Sequence, residues 1–228
     1  MEVITFGWLR KTNQQPQLLL RDTLFGDLPL DRWIPSTGSR AGEPWASFAH
    51  ARDAIRAGRR DDAVEKLKSV LAQGGLESRH HLEAWEALRA LGVKPSEAEA
   101  KHSLGVVVEV PISQGFDFLA AYADHSARYY NHAGGGVVWD RIDDRLDSAI
   151  DAVLSAAHQI ATRIGPWTGP RPPGPPPGHA RLSILTPSGL HFGQGPFETF
   201  AADPMAAPIF TAATILMQQI TAIPRAKA

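Results

Sequence analysis

The run Leu104-Gly-Val-Val-Val-Glu-Val-Pro-Ile112 constrains this chain more than any other stretch, because it is Val-rich and almost continuously apolar apart from Glu109. A short run of this kind, bounded by polar residues, reads as a strand buried on both sides rather than one with an alternating polar face. Three further runs follow at once, Phe116 to Ala123, Ala127 to Asn131 and Val137 to Trp139. The segments between them, Ser113-Gln-Gly115, Asp124-His125-Ser126 and His132-Ala-Gly-Gly-Gly136, have hairpin length and turn residues. Adjacent strands are therefore expected to pair antiparallel as a meander.

Beyond Trp139 the period changes. Asp140 is expected to open a helix whose apolar face runs through Ile142, Leu146, Ile150, Val153, Ala157, Ile160 and Ile164 until Gly165-Pro166 ends it. A proline-dense segment from Pro166 to Gly178 leads to strands at Leu182–Leu185 and Leu190–Phe192, joined by the turn Pro187-Ser-Gly189. Asp203-Pro204 is an N-cap followed by a first-position proline, and Met205, Ile209, Ala213, Leu216, Met217 and Ile220 give the last helix a buried stripe. Four strands, a helix, two strands and a helix make a two-layer α+β domain the simplest solution.

The N-terminal part is of another kind. Val3–Phe6 and Gln17–Leu20 have strand-like length, and residues 22–35, broken by Gly26, Pro29 and Pro35, read as extended, with Trp8, Phe25 and Trp33 as anchors. Such aromatics either dock the arm on its own body or present a patch to a partner, and docking is the preferred reading. Ser36–Pro44 has linker composition. Trp45, Phe48, Ala49, Arg52 and Ile55, and after Gly58 the positions Ala63, Leu67, Val70 and Leu71, step at helical spacing until Gly74-Gly75. This pair resembles one tetratricopeptide-type hairpin, with Gly58 closing the first helix and Ala63 allowing close packing. A solenoid needs three or more such repeats, so the pair stands as an isolated hairpin extended by a third helix from Ser78 to Leu91 through Leu82, Trp85 and Leu88. The expected organisation is an arm and linker over 1–44, a helical region over 45–100, and an α+β domain over 101–228, with the boundary at Gly92–Ser103.

Charge and cysteine content narrow the function. Lys and Arg total 23 against 24 Asp and Glu, for a net charge of -1, with no strong clustering of either sign. That disfavours nucleic acid, whose phosphates are bound by clustered cations. The absence of cysteine removes disulfides, thiolate chemistry and Cys-based metal sites, and fits a reducing, cytoplasmic setting. The start Met-Glu-Val-Ile-Thr-Phe-Gly-Trp8 is not patterned as a secretory signal, and no apolar run reaches the ~20 residues of a membrane span.

Two stretches of the C-terminal half carry a resemblance: Ala120-Ala-Tyr-Ala-Asp124 with Ala127-Arg-Tyr-Tyr-Asn-His132 and Val138-Trp139, and Pro187-Ser-Gly-Leu190 with Phe192-Gly-Gln-Gly-Pro-Phe197. They resemble a family of uncharacterised bacterial cytoplasmic proteins. The resemblance implies a bacterial cytoplasmic setting and brings no activity, cofactor or partner.

The densest polar cluster is Asp124, His125, Arg128, Tyr130, Asn131 and His132, on the third strand and its two turns. Histidine is suited to proton transfer near neutrality. However, His125 and His132 fall at opposite ends of that strand, roughly 20 Å apart at ~3.3 Å per residue, and are not expected to share a metal. The plainer reading gives Asp124 and Asn131 to turns and Arg128 to solvent. The glycines of His132–Gly136 join strands rather than preceding a helix, so a hairpin is preferred to a phosphate loop. Asp140, Asp143, Asp144, Asp147 and Asp151 are expected along one side of a helix with Arg141 and Arg145 as partners, a solvated face rather than a Mg²⁺ site. His80-His81 with Glu83 lacks the spacing of a zinc hydrolase, and Ser188 lies outside a nucleophile-elbow motif.

Partner docking is assigned to Trp8, Trp33, Trp167, Arg171, Pro172 and Pro173, since a polyproline segment is a ready ligand for aromatic grooves. The expected function is a non-catalytic interaction or scaffold protein that binds another protein or itself, with no cofactor and no metal. The alternative is a small-molecule sensor or enzyme with a pocket between sheet and helices, lined by Tyr122, Arg128, Tyr130 and Trp139 and flanked by the polar residues of the same hairpin.

Overall fold

The computed structural model describes residues 17–33, 42–113 and 115–223; the strand expected at Val3–Phe6, together with Trp8, Pro35 and most of the 36–44 linker, lies outside the described residues. Its strands are β1 (Gly105–Ile112), β2 (Gly115–Tyr122), β3 (Ala127–Tyr130), β4 (Gly136–Trp139), β5 (His179–Thr186) and β6 (Gly189–Pro196). They form one antiparallel sheet in the order β4-β3-β2-β1-β5-β6, so the Val-rich strand lies inside the sheet between β2 and β5. The meander follows the hairpin-length turns, and the β5–β6 hairpin adds on the other side of β1.

The sheet is covered on both faces. On one, α7 (Asp147–Ala161) and α9 (Ala206–Ala222) pack Ile150, Val153, Ile209, Leu216 and Ile220 against Val106, Val108, Leu119 and Ile184. On the other lie α1 (Gln17–Phe25), α3 (Trp45–Arg56), α4 (Arg60–Leu71) and α5 (Ser78–Ala90), whose Leu24, Phe48, Leu67 and Leu88 share a core with Val107, Phe118, Tyr122 and Leu185. Successive residues of a strand point to opposite faces. Because both faces are buried, β1 shows no polar alternation. Each of these large apolar side chains contributes about 1.5–3 kcal/mol by leaving water. The class is α+β with helices N-terminal and a helix-backed antiparallel sheet C-terminal, and the N-terminal helices supply a third layer. The core is continuous across the expected boundary at residues 92–103.

Four local readings are corrected. Gln17–Leu20 is the start of helix α1, and the extended reading of the residues after it gives way to the rest of α1 and the short α2 (Leu30–Trp33). A brief apolar run cannot be told from a buried helical turn by periodicity, and Leu20 and Leu24 bury as an i, i+4 pair. Helix α7 begins at Asp147, not Asp140. The Asp143 carboxylate accepts the Arg145 backbone N–H at 3.0 Å, holding the chain in a turn that competes with helix. Asp140, Asp143 and Asp144 therefore sit in a connection, and only Asp147 and Asp151 are on the helix. Two further short helices were not expected: α6 (Glu97–Ala100), opened by a Ser96–Glu99 capping box, and α8 (Phe197–Ala202).

Candidate functional site: a cleft beneath the proline-rich crossover

The proline-rich crossover from α7 to β5 is fastened to the N-terminal helices by charge. Glu109, the one acid in β1, is fully buried. It accepts from Arg21 Nε of α1 at 2.5 Å and lies 3.5 Å from Arg181 Nη1 of β5, the residue opposite it in the strand register. Both arginines also reach the crossover: Arg21 Nη2 donates to the Pro172 carbonyl at 2.7 Å, and Arg181 Nη1 to that of Pro173 at 2.6 Å. Arg181 also donates to the Gln194 side chain of β6. Burial pulls the Arg181 guanidinium below its ordinary value, and Glu109 opposes the pull.

One step along the crossover, Arg171 donates to Asp22 at 2.6 Å and to Asp27 at 2.7 Å and stands over the Phe25 ring, 4.3 Å from its centroid. Asp27 can sit there because α1 stops at Gly26. That glycine has φ +59°, and a Cβ on it would lie 2.9 Å from Leu82 Cβ of α5. Burial raises the Asp27 carboxyl above its usual range despite Arg171.

These contacts frame a cleft of about 670 Å³ between the α1–α2 connection, α5, the crossover and the β5–β6 turn. Its walls carry three carboxylates, Asp22, Asp27 and Glu86, and three guanidinium groups, Arg32, Arg89 and Arg171. Glu86 pairs with Arg89, whose Nη1 also donates to the Pro187 carbonyl at 2.7 Å. Arg171 Nη1 is buried and has no hydrogen-bond partner among the described residues. Trp167 stands 48% exposed at the lip, its ring edge-on to Phe192.

Ser188 and Thr186 line the floor, and behind Ser188 lies the buried His191, with Ser188 Oγ 3.1 Å from His191 Nε2 and 2.9 Å from Thr186 Oγ1. Burial, with Lys101 adding repulsion, pulls the imidazole below its ordinary value, so it is neutral at pH 7. The group reads as a hydrogen-bonding floor rather than a nucleophile. The Ser188 backbone N–H is already given to the Ala100 carbonyl, and among the described residues no carboxylate bonds the ring.

The residues expected to bind a ligand are dispersed. Tyr122, Arg128, Tyr130 and Trp139 are buried, and none lines the cleft. Tyr122 donates from its hydroxyl to the Leu24 carbonyl at 2.6 Å, and Trp139 belongs to the opposite core. Arg128 is not solvated: it donates to the Trp139 carbonyl and pairs with Asp140 at 3.0 Å. Asp124 accepts the Ser126 and Ser78 backbone N–H groups at 2.9 and 2.7 Å, capping α5 from the β2–β3 turn. Asn131 accepts from the Ala133 and Gly135 backbone in the next turn. His125 meets Asp151 at 3.0 Å, while His132 meets Asp117 at 3.1 Å on the other turn.

Of the residues expected to dock a partner, Trp33 lies against Trp45, with ring centroids 5.9 Å apart. Arg171, Pro172 and Pro173 hold the crossover to its own chain, and Trp8 lies outside the described residues. Asp22, Asp27, Arg32, Glu86 and Arg89 carry no local pattern that singles them out in the sequence. Glu109, alone among valines, is the available sign that cations must approach this face. Among the described residues no three His, Asp or Glu side chains are grouped to hold a metal, and no helix is long and apolar enough to cross a membrane. Compared with protein families, curated proteins and solved structures, the chain matches none.

Proposed function

We propose that this chain is a cytoplasmic binding protein for a compact, polar, net-neutral small molecule, zwitterionic in the simplest case, held in the cleft beneath the crossover. The observation that carries this reading is the balance of three carboxylates against three guanidinium groups around a volume of about 670 Å³. That volume is within the range of small-molecule sites. A wall with matched charges favours a ligand carrying both signs, and the unpartnered Arg171 Nη1 asks for an acceptor. The small-molecule alternative from the sequence is thereby kept, with its pocket moved from the β3 hairpin to the cleft. Nucleic acid remains disfavoured by the near-zero net charge.

Thermal unfolding against a panel of amino acids, with monoanions and monocations of similar size beside it, tests this. A zwitterion is expected to raise Tm, because a ligand of the folded state stabilises it. Arg32 is 61% exposed and only 3.8 Å from Asp22, so Arg32→Ala should keep the fold and weaken that ligand about tenfold, the effect of losing ~1.4 kcal/mol. A panel in which no zwitterion shifts Tm at millimolar concentration would sink the reading.

The interaction or scaffold reading is favoured by a separate observation. Helix α9 carries no charged residue over its 17 positions, and Pro208, Thr211 and Ile215 of its outer side meet Ala152 of α7 in an open apolar hollow. Self-association through this face would appear in light scattering as a dimer that Ile215→Lys converts to monomer; a monomer at high concentration removes this reading.

A further inference from the structure

On the far side of the 27–30 segment lies a second concavity of about 430 Å³, between α2, α3 and α5. Its walls are largely apolar, with Leu28, Pro29, Ile55, Ala87 and Leu91 along them. At its floor is Glu83 of α5, only 1% exposed. The Leu28 backbone N–H bonds this carboxyl group, but Oε2 is buried and has no hydrogen-bond partner among the described residues. Buried polar atoms are almost always satisfied, and an exception calls for a cause.

Among the described residues no cation is ion-paired with Glu83: Arg89, which attracts its charge, is paired with Glu86. Asp27 and Glu86 lie nearby on the α1–α2 connection and on α5 and are held by Arg171 and Arg89. From α2 and α3, Asp31 pairs with Arg56 and Arg52 with Asp53. Counting Glu83, the lining carries four carboxylates, Asp27, Asp31, Glu83 and Glu86, against two guanidinium groups, Arg52 and Arg56. The other charged groups of the lining are already paired, so the pull on a cation comes from Glu83 itself, whose Oε2 has no hydrogen-bond partner among the described residues.

We propose that this groove binds a primary alkylammonium group, its alkyl body on the apolar walls and its nitrogen on Glu83 Oε2. An ammonium is preferred to a guanidinium because the latter presents a two-pronged fork that wants two free oxygens, whereas the Leu28 N–H already bonds this carboxyl group. In the empty protein, burial and the neighbouring Asp27 and Glu86 charges push the Glu83 carboxyl up to about 9, so it is protonated at pH 7. A bound ammonium reverses this: the O–H proton leaves to solvent, the carboxylate pairs with the cation, and one proton is released per amine bound. The groove adjoins the cleft and shares Asp27 and Glu86 with it, but Glu83 lines the groove and not the cleft, and the proposal does not rest on the zwitterion reading.

The probe is n-hexylamine, titrated calorimetrically at pH 6, 7 and 8 in two buffers of different ionisation enthalpy, with n-hexanol as the uncharged control. Affinity is expected to rise about tenfold per pH unit across this range, with about one proton released. Hexanol should bind much more weakly. Glu83→Gln, close in shape to the protonated acid, should retain the fold, weaken hexylamine binding at pH 8 by at least about tenfold and flatten its pH dependence. Arg32→Ala, a cleft variant, should bind hexylamine as the parent does, which separates failure here from failure of the cleft reading. Absence of hexylamine binding at pH 8, an affinity indifferent to pH, or a Glu83→Gln variant that binds equally well would each overturn the proposal.

Discussion

Replacing Glu109 with alanine is expected to lower the free energy of unfolding by about 3–5 kcal/mol, measured by urea denaturation at pH 7. The cause is not the loss of an attractive pair as such. Arg21 and Arg181 are both buried, and without the carboxylate two guanidinium groups face each other in a region that excludes water. Bringing two ions out of water costs several kcal/mol each unless a partner of opposite sign compensates. Replacing the trio together, with Arg21→Met, Glu109→Leu and Arg181→Met, should cost far less than the single change, because no charge is then left buried. Equal losses for the single and triple variants would contradict this account. The single variant should also expose the crossover to proteolysis, since the arginines that hold the Pro172 and Pro173 carbonyls lose their anchor.

Glu83→Gln should act in the other direction and stabilise the protein at neutral pH. The Glu83 carboxyl is raised to about 9 in the folded chain by burial first and by Asp27 and Glu86 second. In the unfolded chain it titrates at about 4.3. Between those values the folded state holds a proton that the unfolded state has released, so this group's contribution falls as pH rises, by about 1.4 kcal/mol per unit. At pH 7 the accumulated cost is about 3–4 kcal/mol, and below the unfolded value it vanishes. A glutamine removes the titration, though its amide protons need partners and reduce the gain by about 1–3 kcal/mol. The sharper reading is the difference between parent and variant in unfolding experiments from pH 5 to pH 8, which should widen steadily. Parallel curves would mean that Glu83 is ionised in the folded state.

How far the sequence discloses this molecule depends on the range of the signal. The hairpins of the meander are legible because their turns carry local chemistry, such as Asn131 binding the backbone of its own turn. The helical pair at Trp45–Leu71 is legible from spacing alone. Helix α1 escapes a sequence reading because three consecutive leucines look alike in a strand and in a buried helical turn. The start of α7 falls seven residues later than its spacing suggests, because apolar spacing continues through Ile142 and Leu146, while the decisive bond, Asp143 to its neighbour's backbone, is a side-chain choice. The cleft is invisible for a different reason. Its charged walls come from α1, α2, α5 and the crossover, segments far apart in sequence, and Arg21 meets Glu109 across 88 positions. Residues that cluster in sequence, as in Asp124–His132, are divided between two turns and the two faces of a strand.

The reciprocal bonds between Ser78 and Asp124, in which each backbone N–H donates to the other's side chain, bear on how the protein is made. A ribosome adding about 5–20 residues per second completes α1, α3, α4 and α5 before β2 and its turn have emerged. For that interval Leu24, Leu67 and Leu88 have no Phe118 or Tyr122 to cover them, and the first turn of α5 lacks its cap. The nascent helices therefore present an uncovered apolar face, and a chain truncated after Leu91 would carry the same face permanently. The meander acts as the lid of the layer synthesised before it, so a chaperone that shields apolar surface would have its substrate here in the half-made chain rather than in the finished one.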